Sequence, residues 1–316
     1  MDKKNLVVCG LGYISGRVAE GCLLARGMAL HGLQSREAEK ARARARELGA
    51  PAAYGSFDEV MADPAVDAVY LCTPNAQHVP MARRALLAGK AVVCEKPLAP
   101  SQAEVRELFS LARERGVLLM EAAKTCFSPL LLAVRDLVRA GRIGTLTQVD
   151  ADYCYSMAAT GQGEGAWVLG EAGGCALDIG VYPAALASLV ADAPVASASV
   201  VRRDLGYPCD ADVQSLVEFA DGLVARLSAS WMRDVPDKGG CVLWGTEGRV
   251  EVPAYWKARS ARVVTAGGVE ELEVPFASDF TPEIEAAAEA MARGLSECPL
   301  MDEARTLSVL SMLGVS

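Results

Sequence analysis

Near its start the chain sets an apolar run, Asn5 to Gly10, directly against a glycine-rich stretch, GLGYISG from Gly10 to Gly16, and follows it with a helical pattern through Arg26. A buried strand that turns on glycines into a helix leaves few folds open, because each glycine answers a separate steric demand. Gly10 permits the tight turn, Gly12 lets an anionic group approach the main chain, and the helix N-terminus offers unpaired N–H groups and a positive dipole end. Tyr13 and Ile14 complete the turn, and Ser15 stands where a third small residue belongs. The pattern predicts the first unit of a doubly wound parallel sheet with a dinucleotide over residues 10–14.

The chain then alternates as such a sheet requires. ALHGLQ reads as the second strand and ends at Gln34, Ser35 and Arg36, about twenty residues past the glycines, where an NAD site carries a carboxylate for the ribose diol. No carboxylate stands there. The hydroxyl of Ser35 and the guanidinium of Arg36 suit a 2′-phosphate instead, so NADP(H) is expected as the preferred cofactor, with NAD(H) as the alternative. A helix-capping serine beside a solvated arginine is the other reading of the pair. Glu37–Leu48 is a charged helix, SFDE at 56–59 a capping box, DAVYLCT at 67–73 a strand, 76–88 a helix and AVVCE at 91–95 a strand. SQAE at 101–104 opens a further helix, and VLLMEA follows as the last of six strands, which completes an α/β nucleotide-binding domain over residues 1–122.

The run AVVCEKPL, Ala91 to Leu98, leaves the core on a glutamate, a lysine and a proline. A residue before proline is pushed toward extended geometry, so Lys96 is expected to remain strand-like where the strand emerges at its carboxyl edge. Ligands of open α/β sheets bind at that edge. Taken alone, Glu95–Lys96–Pro97 would be a solvated charge pair at a loop entrance.

Several features at fixed spacing remove that isolation. Thr73-Pro74-Asn75, then His78, then ALLAGK at 85–90, then Glu95-Lys96-Pro97 resemble the signature of the glucose-fructose oxidoreductase / inositol dehydrogenase / rhizopine catabolism (Gfo/Idh/MocA) family of nicotinamide-dependent oxidoreductases. The resemblance implies that Thr73, Pro74, Asn75, His78 and Glu95 neighbour the cofactor, and that Lys96 contacts both nicotinamide and substrate. His78 reads equally well as a satisfied histidine at a helix start. Further on, AGGCALDIGVYP at 172–183 resembles the family's glycine-rich motif with its aspartate and, four residues later, a tyrosine. A tyrosine there is similar to both the glucose-fructose oxidoreductase and the dimeric dihydrodiol dehydrogenase branches, and the chain resembles the latter most. The resemblance makes Asp178 and Tyr182 catalytic together with Lys96, and makes Lys124 and Trp167 further substrate-binding candidates. Lys124 and Cys126 depart from the residues the family usually shows there, which bears on substrate preference.

The second domain, 123–316, reads as α+β with a large, mainly antiparallel open sheet. Pro129 fits a first helical turn and Gly141 a C-terminal cap. Residues 156–172 form a long polar loop carrying Trp167. Because Pro183 belongs in a first turn, Asp178 is expected just before a helix that carries Tyr182; the other reading is a capping aspartate and a core tyrosine. DVQSLVEFA and LVARLSASW around Asp221-Gly222, then RVVTA and VEELEV around Gly267-Gly268, are hairpins. An outward sheet face with Leu, Val and Trp231 would serve a homodimer or homotetramer. Helices over 282–293 and 302–313 close the chain and are expected to pack back near the first domain.

Composition bounds the rest. A net charge of −9 repels nucleic acid and anionic membranes. There is no signal-peptide pattern or membrane-length apolar run, so a cytoplasmic protein is expected. Ten cysteines occur singly, without a CxxC pair, beside two histidines, which suits buried thiols rather than disulfides or a metal site.

The expected reaction is hydride transfer between the nicotinamide and a secondary alcohol or carbonyl of a sugar, polyol or cyclic diol. The hydroxyl must lose its proton as hydride leaves, and Tyr182 is the acid/base candidate. A free phenol ionises near pH ~10, and an ammonium such as that of Lys96 close by would favour the phenolate; Asp178 would orient the lysine or the substrate. The alternatives are a tightly bound nucleotide recycled in place, by internal redox or glycoside cleavage, and a catalytically silent nucleotide-dependent binding or regulatory protein.

Overall fold

The computed structural model describes residues 3–158 and 167–316, so part of the 156–172 loop lies outside the described residues. The chain forms two compact units, one of Met1–Ala99, Ala103–Lys124 and Ala277–Glu303, the other of Pro100–Gln102, Thr125–Phe276 and Ala304–Ser316.

In the first unit, β1 (Lys4–Cys9), β2 (Met28–Gln34), β3 (Ala52–Tyr54), β4 (Ala68–Leu71), β5 (Ala91–Glu95) and β6 (Leu119–Ala122) make one parallel sheet of order β3-β2-β1-β4-β5-β6. Its central strands are buried over β4, Leu6–Cys9 of β1 and Ala91–Cys94 of β5, as a sheet covered on both faces requires. The helices between them are α1 (Ser15–Leu24), α2 (Ala38–Leu48), α3 (Phe57–Ala62), α4 (His78–Leu87) and α5 (Gln102–Arg115). Ser56 caps α3 by accepting from the Glu59 N–H at 3.2 Å. The three-residue β3 is too short to carry a periodic signal. The chain returns to this unit with α8 (Thr281–Ala292), whose Thr281 Oγ1 donates to the Gly21 carbonyl of α1 at 2.9 Å.

In one respect the strand end differs from expectation. β5 stops at Glu95, and Lys96 forms a bend joined to Pro97 by a cis peptide bond. Pairing with β6 ends at Glu95, opposite Ala122, and a proline offers no N–H with which to continue a ladder.

The second unit is built on an eight-stranded mixed sheet of order β14-β13-β12-β11-β7-β10-β9-β8. Its members are β7 (Leu146–Cys154), β8 (Val195–Arg203), β9 (Asp212–Phe219), β10 (Val224–Ser230), β11 (Gly240–Gly245), β12 (Gly248–Pro253), β13 (Ser260–Thr265) and β14 (Gly268–Glu273). All neighbours are antiparallel except β7 and β10. The unit also holds α6 (Pro129–Arg139), with Pro129 in its first turn and Gly141 beyond its end at φ +76°, and α9 (Glu303–Met312). α7 (Val181–Val190) is buried at every position but Tyr182 and packs on β7 and β10. A helix apolar on all sides needs such cover.

Two expectations fail here for local reasons. Residues 176–180 form a π-helical turn that runs directly into α7, so Asp178 lies inside the helical segment rather than before it. The wider turn lies where Pro183 withholds its N–H from a residue four or five back. Trp231 is 1% exposed, not part of an outward face. It shares strand parity with Ala225, Leu227 and Ala229, all buried, and side chains two apart point the same way. Val201, Leu216, Trp244 and Val269 are the exposed large residues of these strands.

All ten cysteines are free, nine of them buried. Among the described residues no helix is long and apolar enough to cross a membrane.

Candidate active site

Strand register builds the cluster on the first unit. Pairing sets Gln34, Cys9, Leu71 and Cys94 side by side across β2, β1, β4 and β5. The residues that follow, Ser35-Arg36, Gly10–Ile14, Thr73–Asn75 and Glu95-Lys96, therefore leave one sheet edge over a span of about 14 Å, three strand spacings. This edge is the carboxyl one, and between β1 and β4 the strand order reverses, where α/β sheets bind dinucleotides.

The chain fits such a ligand in detail. Gly10 has φ +89°, and a Cβ there would stand 2.8 Å from Thr73 Cγ2 and 2.9 Å from the Cys72 carbonyl oxygen. At Gly12 a Cβ would meet nothing closer than 4.0 Å, so the protein leaves that space open. Ser15 Oγ donates to the Gly12 carbonyl at 2.7 Å and ties the turn to the start of α1. Tyr13 is exposed, and Ile14 stands at the N-cap of α1. Thr73 Oγ1 is buried with no hydrogen-bond partner among the described residues, a group that a ligand hydroxyl or phosphate could satisfy. Pro74 is exposed and Asn75 buried beside it. Ser35 is buried and accepts from the Glu37 N–H at 3.1 Å, which leaves its own hydrogen to give; Arg36 is exposed.

His78 is placed differently from its neighbours. It opens α4, is 1% exposed, and sets Nδ1 2.7 Å from the Pro97 carbonyl oxygen and Nε2 2.8 Å from that of Thr73. The ring thus sits between the Thr-Pro-Asn and Glu-Lys-Pro turns, donating to one of the two carbonyls when neutral and to both only when protonated. Burial lowers its pKa, although both carbonyls favour the protonated ring.

Behind Lys96 lies a charged cluster with little solvent. Tyr70 Oη stands 3.0 Å from Oε1 of Glu95 and 2.6 Å from Oε1 of Glu283 on α8. Burial raises the Glu95 pKa against the opposing charge of Lys96, and burial with the charge of Glu95 raises that of Glu283 further. Lys124 is held 3.5 Å from Asp279 Oδ2, with its ammonium over the Phe280 ring, and Arg17 reaches the same oxygen at 2.8 Å. Burial pulls the Lys124 pKa down while Asp279 opposes.

The second unit presents another cluster. β7 and β10 run parallel with Cys154 opposite Ser230, so the residues just beyond, Tyr155 and Trp231, leave the sheet side by side. Tyr155 Oη donates to Asp178 Oδ2 at 3.2 Å and Trp231 Nε1 donates to the same oxygen at 3.3 Å. Burial raises the Tyr155 pKa, with the Asp178 charge adding to it. Tyr182 stands edge-on to Tyr153 with ring centroids 5.2 Å apart, and Tyr153 stacks on Trp256 at 3.9 Å. Trp167 is half exposed, in a short 3₁₀ turn over Trp167–Leu169. Asp178 and Tyr182 are thus gathered with three aromatic residues, Tyr153, Tyr155 and Trp231, that sequence reasoning did not select. The Tyr-Cys-Tyr spacing at the end of β7 was the available signal.

Residues 4–123 match the oxidoreductase family with an NAD-binding Rossmann fold, Gfo/Idh/MocA, and residues 131–251 match that family's C-terminal domain. The chain belongs to the Gfo/Idh/MocA oxidoreductases. Trans-1,2-dihydrobenzene-1,2-diol dehydrogenase of Mus musculus is 30% identical over 277 residues, 84% of this chain and 81% of that protein. D-xylose 1-dehydrogenase (NADP(+)) 2 of Haloferax volcanii is 32% identical over 285 residues, 88% and 85% of the two chains. Among solved structures, the aldose-aldose oxidoreductase of Caulobacter crescentus in complex with glycerol superimposes with a TM-score of 0.87 at 25% identity, covering 98% of this chain and 95% of that one. Gfo/Idh/MocA relatives of this chain are thus dehydrogenases and reductases of sugars and diols.

Proposed function

We propose that the protein is an NADP(H)-dependent oxidoreductase that moves a hydride between the nicotinamide and a secondary alcohol or carbonyl of a sugar, polyol or cyclic diol. The observation that carries this reading is the shared sheet edge, on which register aligns the glycine turn, Thr73–Asn75 and Glu95-Lys96. When bound, the nicotinamide supplies or accepts the hydride.

The rest is the work of side chains. The open face of Gly12 and the α1 N-terminus take the diphosphate, and Thr73, Pro74 and Asn75 line the ribose. Ser35 and Arg36 take the 2′-phosphate; the D-xylose dehydrogenase relative is named for NADP(+). Lys96 directs its ammonium at the reacting oxygen. Tyr182 exchanges the hydroxyl proton, and Asp178, held by Tyr155 and Trp231, orients the substrate. Lys124 and Trp167 are assigned to the rim of the substrate site. A second copy of the chain is proposed to cover the exposed sheet residues.

Absorbance of reduced nicotinamide, followed across aldoses, polyols and cyclic diols with each nucleotide, tests the proposal. Turnover of at least one such substrate, faster with NADP(H), is expected; nucleotide binding without oxidation of any of them would point to a silent binding protein. A second reading has the nucleotide recycled in place, as the name of the aldose-aldose oxidoreductase relative suggests. Purification with nucleotide bound, and reduction of one sugar at the expense of another without added cofactor, would select it.

A further inference from the structure

Three residues from separate elements of the first unit, Tyr70 on β4, Glu95 at the end of β5 and Glu283 in the first turn of α8, meet around the Tyr70 phenol, with Glu95 half-buried. Tyr70 and Glu283 are both 0% exposed. The phenol oxygen lies 2.6 Å from one carboxyl group and 3.0 Å from the other. A phenol carries one hydrogen and can donate it once. With both carboxyl groups ionised, the phenol could donate to only one, and its oxygen would face the other anion at hydrogen-bond distance with no hydrogen between them. One additional proton resolves the conflict.

Its location follows from what surrounds each acid. Glu95 accepts from the backbone N–H of Lys96 and faces the ammonium groups of Lys96 and Lys124, so it can hold a negative charge. Glu283 faces the charges of Glu95 and Asp279 as well as the Lys124 ammonium, accepts no backbone N–H among the described residues, and its Oε2 has no hydrogen-bond partner among them. The Cys72 thiol also borders Tyr70, and burial keeps it neutral. Asp279 is already matched by Arg17 and Lys124.

We propose that Glu283 is a protonated positioning residue at the head of a directed chain, in which its hydroxyl donates to Tyr70 and Tyr70 donates to Glu95, so that Glu95 stands as the single anion beside Lys96. The proposal deepens the catalytic reading of Lys96 and rests on it for its functional consequence. The proton distribution itself does not depend on that reading. Through this chain an element far along the sequence orients the carboxylate that precedes the lysine.

The first test is spectroscopic and needs no substrate. Infrared difference spectra of the full chain at neutral pH should show the carbonyl stretch of a protonated carboxylic acid that is lost in Glu283→Gln and retained in Glu95→Gln. Tyr70→Phe should keep that band but shift it, because the acid loses its acceptor. A band absent from the wild type, or lost in Glu95→Gln and kept in Glu283→Gln, overturns the proposal whether or not the protein turns over any sugar.

The second test is kinetic. Tyr70→Phe and Glu283→Ala should move the acid limb of the kcat/KM profile to higher pH and lower kcat/KM on that limb about tenfold, the loss of one hydrogen bond to a charged group. Glu283→Gln, which keeps an N–H for Tyr70, should rescue the profile. Equal shifts in the alanine and glutamine variants would show that charge at residue 283, not a donor, sets the limb.

Discussion

The two candidate clusters, one on each unit, are built from different materials. On the nucleotide-binding unit the contact surface is mostly main chain, turned by Gly10, opened by Gly12 and wedged by His78. On the second unit it is side chain, with Asp178 clasped by Tyr155 and Trp231 and Tyr182 set against Tyr153. A main-chain surface can serve any dinucleotide because it reads diphosphate and dipole. A side-chain surface changes with each substitution, which is where sugar and diol enzymes of one family can diverge.

Substitutions at the reacting centre bear on this contrast most strongly. Lys96→Met and Tyr182→Phe should each lower kcat/KM by ~100-fold or more, the usual cost of a lost proton-transfer or charge-stabilising group, with nucleotide affinity measured by fluorescence changing little. A loss under tenfold in either would remove that residue from the chemistry. On the nucleotide side the largest change is expected from Arg36→Ala, which should reduce the preference for NADP over NAD by roughly 10- to 100-fold, the loss of one charge-assisted contact. Unchanged discrimination in parallel kcat/KM measurements would reassign Arg36 to the solvated face of the chain.

The clasp on Asp178 should be milder. Tyr155→Phe and Trp231→Phe each delete one donor to a charged oxygen, worth about 1.5 kcal/mol or more, so kcat should fall about tenfold. KM for the nucleotide should stay constant, which would separate the second unit's cluster from the nucleotide-binding turns. A matching rise in nucleotide KM would show that the contrast between the two clusters is misdrawn.

The smallest effect is on stability. Glu283 has its pKa raised by burial and by Glu95, so its contribution to folding is complete below the unfolded value of about 4.3 and is lost as pH rises toward the folded value. Thermal unfolding from pH 5 to 8 should therefore show Glu283→Gln gaining on the wild type as pH increases, by at most about 1.4 kcal/mol per unit. A stability difference between the two that stays constant over this range would mean that Glu283 is already ionised in the folded protein.

The same contrast explains what the amino-acid sequence disclosed. The nucleotide edge was readable because each of its turns is local: Gly10 to Ser15, Thr73 to His78 and Glu95 to Pro97 carry their constraints within a few residues, and parallel register aligns them. Asp178 and Tyr182 were readable by motif resemblance, but their partners were not. Tyr155 and Trp231 come from the ends of two strands 76 positions apart, brought together by the parallel β7–β10 pair, and nothing local announces that pairing. Trp231 was assigned to the wrong face although its parity with Ala225, Leu227 and Ala229 indicated the buried one. Glu283 was hidden for the same reason as Tyr155, since it meets Tyr70 from 213 residues away.

The imidazole of residue 78 is wedged between one carbonyl from each of two neighbouring turns, and this packing makes the two turns a single mechanical part. A substitution that reshapes the Thr-Pro-Asn bend for a different ribose also tugs the footing of the lysine. Tuning of the reacting molecule therefore has its freest scope in side chains that this ring does not touch.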